Sequence, residues 1–572
     1  MRIRPRLPKV LALVVALSML AAACSSAGTE TTPTTTSGGS TETTSGGTPT
    51  TSGATTATTG GQAPSEKPEI VAALSDTVNL IEPHTFRSTS AYAVTRALYD
   101  PLIREKYDQQ ADGSLIGIPG EHVGEGAESY EVTETDNGLK ATFHLRQDAT
   151  FADGTPVTAQ DYKYTFDRSM QADFSYITVL LPFIGVDSPD QIQAVDDYTL
   201  EIETNAKTPL FERFMTFQVF GAINQALVEA NTTSDDPWGG GYLTTNAAGS
   251  GAYMLQEYNP DRQVVLTPNP YYWDMANVAN SGVTIRTVPD ANQRALLVQS
   301  GDIDVATGIP PKLLSQLEND PNVKIFSRPT SGVYYMGMNQ DIAPLDNVDV
   351  RRAIMHAVPY SALIDQVMYG YASPAGGVVT SPMETYDASI GDQYKQDLDQ
   401  ARTDLANSGV DSVDLTLGVR ESRATDQEAA VLIQDALRQV GINVEVSVLP
   451  DADFSDKLNN GELPLFIHDW YSWGEDPYYQ MTFLTTCGSF VNYAHFCNEE
   501  YDNLVNEGKF TLDENQRQDI SSQTQQIFFD NAVWAPLWAA DRTIVTGKCV
   551  TGVDKEYTNV PGFKWMTKTD SC

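Results

Sequence analysis

The sequence predicts a mixed α/β body built on parallel strands, and three segments carry that prediction. Val413, Leu415, Leu417 and Val419 alternate with polar residues as a half-buried strand requires, and Ile442, Val444, Val446 and Val448 alternate again after an intervening helical stripe. Such a strand, helix, strand unit closes as a right-handed crossover with parallel strands. The second segment is a helix around Asn292 to Gln299, stopped by Ser300-Gly301 and followed by a short strand from Ile303 to Ala306. The third is a helix beginning near Asp346 that buries Val350, Ala353, Ile354, Ala357 and Val358, with Pro359 breaking the run before Leu363, Ile364, Val367 and Met368.

Taken in chain order, the first 24 residues read as an address. Arg2, Arg4, Arg6 and Lys9 are positive, and Val10 to Ala23 is an unbroken apolar or small run, shorter than the roughly 20 residues of a membrane span. From residue 25 to 67 the composition turns to Thr, Ser and Gly, which cannot bury enough surface to offset ordering entropy. This predicts a disordered leash that holds the folded part about 35 Å from its start. Within the crossover unit, Thr425-Asp426-Gln427-Glu428 has capping-box spacing. The helix presents Ala429, Leu432, Ile433, Ala436, Leu437 and Val440 on one face and stops at Gly441. No repeat with a period of about 20 to 50 residues runs through the chain.

Charge and motif content exclude several functions. With 36 Lys plus Arg against 75 Asp plus Glu, the formal charge is 36 − 75 = −39, which repels a polyanion and leaves no basic block after the first nine residues. Nucleic acid is therefore not a partner. There is no Gly-x-Ser-x-Gly elbow, His-Glu-x-x-His pair or Walker loop, and the six histidines are scattered singly. The sequence asks for no cofactor and names no catalytic residue; a secreted envelope hydrolase using a carboxylate pair is the reading from another class. Cys487, Cys497, Cys549 and Cys572 are an even set in an exported chain. Of three connectivities, Cys487 to Cys497 with Cys549 to Cys572 closes the shortest loops, while spacings of ten and twenty-three lack a zinc pattern.

Several motifs, in order, carry a family resemblance. Ala141-Thr142-Phe143-His144-Leu145-Arg146 through Phe151-Ala152-Asp153-Gly154-Thr155-Pro156-Val157-Thr158-Ala159-Gln160-Asp161 resembles the signature of family 5 solute-binding proteins, the extracytoplasmic receptors of dipeptide, oligopeptide and nickel ABC importers. Ala97-Leu98-Tyr99-Asp100-Pro101-Leu102, Gly249-Ser250-Gly251-Ala252-Tyr253, Asn269-Pro270-Tyr271-Tyr272-Trp273, Ser300-Gly301-Asp302-Ile303-Asp304 and Asp349-Val350-Arg351-Arg352-Ala353-Ile354 resemble further family segments. Leu20-Ala21-Ala22-Ala23-Cys24 resembles a lipobox, with Ala21 where Leu is usual, and makes Cys24 the lipid-bearing residue.

The resemblance implies a two-lobed periplasmic-binding-protein clamshell of type II, the large cluster with an extra inserted domain. Lobe I is expected at 68–97 with 238–310 and 535–572, the lobe II insertion at 98–237, and lobe III at 311–534. The Asp153 turn and the Thr158 helix start shape the fold and touch no ligand. Where family members bind peptides, a Trp and an Asp three residues later hold the peptide amine. Here Trp470 matches the Trp, Trp473 stands at the Asp, and Asp476-Pro477 matches a later Asp-Pro. The candidate ligand residues are thus Asp469, Trp470, Tyr471, Trp473, Asp476, Tyr335 and Asn339, with Asp469 or Glu475 as substitute counter-charges and Tyr334 beside them. Trp470 and Trp473 read as cleft aromatics, at about 0.5 to 2 kcal/mol for a cation over an indole, with core aromatics of the hinge as the alternative.

The expected function is that of a monomeric, exported substrate-binding protein lipid-anchored to the outer face of the cytoplasmic membrane, or periplasmic where an outer membrane exists. It captures peptide-like solutes and delivers them to an ABC permease with separate ATPase subunits. Sugars, nickel chelates or other small solutes are the alternative ligands, and a transport-independent envelope scaffold is the alternative role.

Overall fold

In a computed structural model of the chain, the described residues are 67–86, 88–109, 115–172, 175–391, 393–472, 474–554 and 560–569. The signal segment, the leash, Cys24, Trp473 and Cys572 lie outside them. Three sheets organise the rest. The first has seven strands in the order Val323–Arg328, Arg542–Gly547, Val305–Thr307, Ile70–Ala73, Val283–Arg286, Gln263–Pro268 and Tyr253–Asn259. Ile70–Ala73 lies at its centre, parallel to both neighbours. The second runs Ala372–Ser373, Trp534–Ala540, Val333–Met338, Leu465–Trp470, Val413–Arg420 and Ile442–Leu449. The third is antiparallel, formed by Ala127–Glu134, Leu139–Leu145, Thr199–Glu203 and Ile192–Asp196.

The crossover unit forms with Val413 opposite Ile442 in parallel register, and helix Ala424–Gln439 buries Ala429, Ile433, Ala436 and Leu437 between the strands' ends. Gly441 takes φ +91°, a conformation that costs a side chain dearly. Helix Ala291–Ser300 ends on Gly301 at φ +80°, and helix Val348–Ala357 starts where Asn347 accepts from the Asp349 amide at 2.9 Å. The capping box at Thr425 is not realised: the helix starts one residue earlier, at Ala424, and has no side-chain cap, so Thr425 falls inside the first turn.

Two strands depart from the expected lobe boundaries. Val323–Arg328, expected in lobe III, pairs with Arg542–Gly547 in the first sheet, and Trp534–Ala540, mostly expected in lobe I, pairs with Val333–Met338 in the second. Both choices are made by partners some two hundred residues away, which local pattern does not encode. Cys487 and Cys497 are disulfide-bonded as expected, and Cys549 is also held in a disulfide.

The family motifs act as braces. Asp153 Oδ1 accepts from the Thr155 amide at 2.9 Å around Gly154, and Asp161 Oδ2 accepts from the Thr158 amide at 2.9 Å. Trp273 Nε1 donates to Asp100 at 3.0 Å, joining two motifs 173 residues apart. Gly249 lets its backbone press on helix Thr89–Leu98, for a Cβ there would stand 2.0 Å from the Leu98 carbonyl oxygen. That contact seats the helix against the cavity described next.

Candidate ligand cavity

A cavity of about 540 Å³ opens where the first sheet, the second sheet and the hairpin strand Ile103–Gln109 converge. Its floor is the start of helix Thr89–Leu98, where Ser88 Oγ accepts from the Ala91 amide at 3.1 Å. One wall is the end of strand Leu465–Trp470 with the loop that follows; the opposite wall is Arg104, Glu105 and Tyr107. None of residues 151–161 lines it.

The first wall is held from behind. Trp470 lines the cavity and stacks on Phe483 at 6.0 Å, which in turn meets Phe490 of the disulfide loop at 5.9 Å. Tyr471 lies over Gly332, where a Cβ would approach its ring to 2.6 Å. Asp469 lines the cavity too, but its carboxylate accepts from Arg423, and Arg423 also stands 4.0 Å from Asp426. Burial pushes the Asp469 carboxyl up, yet the charge and hydrogen bond of Arg423, together with His468 and Arg420, outweigh it and hold the group below its ordinary range. Asp426, more deeply buried and only second in line for the guanidinium, is pushed up to about 7.

The loop beyond turns on Glu475, which lines the cavity with φ +48°. Arg213 Nη1 donates to the Gly474 carbonyl at 2.8 Å and so fastens this loop to helix Leu210–Met215. Ser472 is 1% exposed and its hydroxyl has no partner among the described residues; the Trp470 indole N–H is likewise buried without an acceptor.

The remaining sequence candidates are not brought here. Asp476 is buried with both oxygens occupied: Oδ1 caps helix Pro477–Thr485 by accepting from Tyr478 and Tyr479 amides at 2.8 and 3.1 Å, and Oδ2 pairs with Arg517. It caps that helix and does not line this cavity. Tyr335 is 2% exposed and packs on Trp534 at 4.5 Å, inside the core of the second sheet. Tyr334 stacks on Trp538 at 5.1 Å, behind the wall. Asn339 donates to the Gly461 carbonyl at 3.0 Å and follows Met338, which pairs with Leu465, whereas Val333 pairs with Trp470. It therefore sits at the wrong end of the strand, about 20 Å from the cavity.

Sequence reasoning missed the second wall. Glu105 is half-buried there, and no donor among the described residues reaches its carboxylate. Burial pushes it up to about 7, with the Glu475 charge adding to the effect and Arg213, Arg96 and His122 opposing it. The available signal was the charged run Arg104-Glu105-Lys106 directly after the Ala97 to Leu102 motif.

Residues 121–492 match the family described as bacterial extracellular solute-binding proteins, family 5 Middle. The chain is 27% identical over 476 residues to the probable D,D-dipeptide-binding periplasmic protein DdpA of Escherichia coli, spanning 82% of this chain and 88% of that one. It is 24% identical over 498 residues to the periplasmic murein peptide-binding protein MppA of the same organism, spanning 84% and 89%. Among solved structures, the periplasmic binding protein DppA from Helicobacter pylori in complex with the peptide STSA superposes with a TM-score of 0.74 at 21% identity, covering 87% of this chain and 98% of that one. The E. coli MppA structure superposes with a TM-score of 0.72 at 23% identity, covering 88% and 99%. These likenesses show the fold, the two-lobed periplasmic-binding-protein clamshell.

Proposed function

The chain belongs to the family 5 extracellular solute-binding proteins, and on that footing we propose that it is the receptor of an ABC importer that captures peptide-like solutes between its lobes. The observation that carries the reading is the cavity itself. At about 540 Å³ it falls in the size range of small-ligand sites. It combines aromatic surface from Trp470, Tyr471 and Tyr107 with groups of both charge signs, as a zwitterionic chain with side chains requires. The relatives named for D,D-dipeptides and murein peptides support the same class.

In this reading Cys24 carries the lipid, residues 25–67 are the leash, and closure of the lobes presents the loaded form to a permease with separate ATPases. The receptor is a monomer and performs no chemistry. Native mass spectrometry of the exported protein, purified without denaturation, tests it. A co-purified mass in the short-peptide range, lost on unfolding, is the expected result. A sugar-like or chelate mass would move the substrate class. An empty cavity, unshifted in a thermal screen of peptides, sugars and chelates, would overturn uptake in favour of an envelope scaffold. Labelling with a fatty acid, lost in Cys24→Ser, is the expected result for the anchor.

A further inference from the structure

Helix Pro477–Thr485 serves two cores at once. Tyr478, Met481 and Leu484, spaced three apart along one face, pack in the core of the second sheet. Tyr479 and Phe483, four apart on another face, pack instead with Phe183 and Phe214. Those two rings belong to helices on the antiparallel sheet's side, Leu180–Phe183 and Leu210–Met215. The Phe183 ring meets Tyr479 edge-on at 5.3 Å and stacks on Phe483 at 5.7 Å, and Phe214 meets Tyr479 at 5.9 Å. None of these four rings lines the cavity, yet Phe483 stacks on Trp470, which does, so ring contact runs from the cavity wall into the seam.

Polar contacts flank the rings. Arg213, next to Phe214, donates to the Gly474 carbonyl at 2.8 Å, and Thr208 Oγ1 donates to the Lys509 carbonyl at 2.9 Å. The Lys509 ammonium lies 4.6 Å over the Phe183 ring. Two residues beyond Gly474, Asp476 is held by Arg517 of helix Glu514–Asp530. Glu384 stands 3.9 Å from both arginines and offsets their mutual repulsion. The loop from Gly474 to Asp476 is thus gripped by one arginine from the antiparallel sheet's side and one from its own.

We propose that this seam is the latch of the ligand cavity. Arg213 and Phe183 are positioning residues that hold the antiparallel sheet's side against the Trp470 wall, and so set how long a captured solute stays. This rests on reading the cavity as a cleft that closes over its ligand. The seam can part without unfolding either side, since each keeps a core of its own. A ligand pressed on Trp470 leans through Phe483 on the seam, so ligand and latch favour the same arrangement. Breaking the latch lowers the closed share of the protein and weakens binding by that share, mainly through faster dissociation.

The test uses the full mature chain carrying Val195→Cys and Val431→Cys, two exposed positions on opposite sides of the seam, as spin-label sites. The distance between labels is read by double electron–electron resonance with no peptide added. The labelled parent is expected to give one narrow distribution. Arg213→Ala and Phe183→Ala should each add a second population, and Arg213→Lys, which keeps an N–H donor, should match the parent. The peptide best retained from a random tetrapeptide pool should then leave both alanine variants at least about tenfold faster, as loss of a charge-assisted bond implies, with association changed less than about threefold. Because Phe183 lies outside the cavity, its effect is not that of a lost ligand contact. Should Phe183→Ala lose its helical circular dichroism, Phe183→Leu, which keeps apolar volume without the ring, takes its place with the same expectation. Distributions identical in the parent and both variants overturn the latch, as does a second population with unchanged dissociation. If the parent retains no peptide, the peptide reading fails, and the label distances alone uphold or overturn the latch.

Discussion

Asp469 and Glu105 face one cavity from opposite walls, and their surroundings give them opposite properties. Asp469 ends a strand of the second sheet and is neutralised by Arg423, so it stays ionised and its ion pair is part of the fold. Glu105 stands on a two-stranded hairpin with no donor among the described residues on its carboxylate, and burial, with the Glu475 charge, raises it to about 7. A carboxylate's availability to a ligand is set by its partner and not by its presence. In a chain with 75 acidic residues, only the structure can tell the two kinds apart.

The comparison breaks most severely at the paired extreme. Arg517 and Asp476 are 6% and 5% exposed at their side chains, and Asp476 also caps a helix. Arg517→Met strands a buried carboxylate and is expected to cost about 3–5 kcal/mol, read as a lower urea midpoint. Next comes the buttress behind Trp470. Cys487→Ser opens a loop of ten residues' separation and should cost about 2–3 kcal/mol by chain-entropy arithmetic. Because Phe490 of that loop backs Phe483 and Trp470, ligand affinity should fall as well.

Titration sharpens the contrast, since the two walls respond to pH with opposite sign. Glu105 is raised from 4.5 to about 7 on folding. Its contribution is therefore fully present below about pH 4.5 and lost as pH rises to about 7. Discounted for its partial exposure, this amounts to about 1–2 kcal/mol. Asp469 is lowered, so its contribution is present above the ordinary carboxylate value and lost as pH falls through its folded value. Thermal midpoints of the unliganded protein from pH 4 to 8 should show the first effect in the wild type and a flatter profile in Glu105→Gln.

Much of the frame was legible because it is local. Alternation marked the strands at 413–420 and 442–449, glycines at 301 and 441 stopped their helices, and a ten-residue spacing paired Cys487 with Cys497. The sheet membership of 323–328 and 534–540 was not legible, because distant partners decide it. Nor was the site. Strand periodicity tells which face Tyr335 and Asn339 occupy but not which end of the strand meets the cavity, and the Trp470 to Asp476 run mixes wall residues with a helix cap. Arg423, which decides the role of Asp469, lies 46 residues earlier in sequence.

The smallest expected effect is the most discriminating control. Asp435 pairs with Arg438 on an exposed helix face, with side chains 57% and 69% exposed. Asp435→Asn changes the formal charge from −39 to −38, as does Glu105→Gln. Screened in water, the surface pair is expected to contribute under about 0.5 kcal/mol, and its loss should leave ligand affinity unchanged. Measured side by side by calorimetry at one ionic strength, the two variants differ only in where the charge is removed. If Asp435→Asn weakened binding as much as Glu105→Gln, the cavity would be responding to the overall negative field of the protein, and the distinction between paired and unpaired carboxylates would lose its force. A loss confined to Glu105→Gln locates the effect in the unpaired wall.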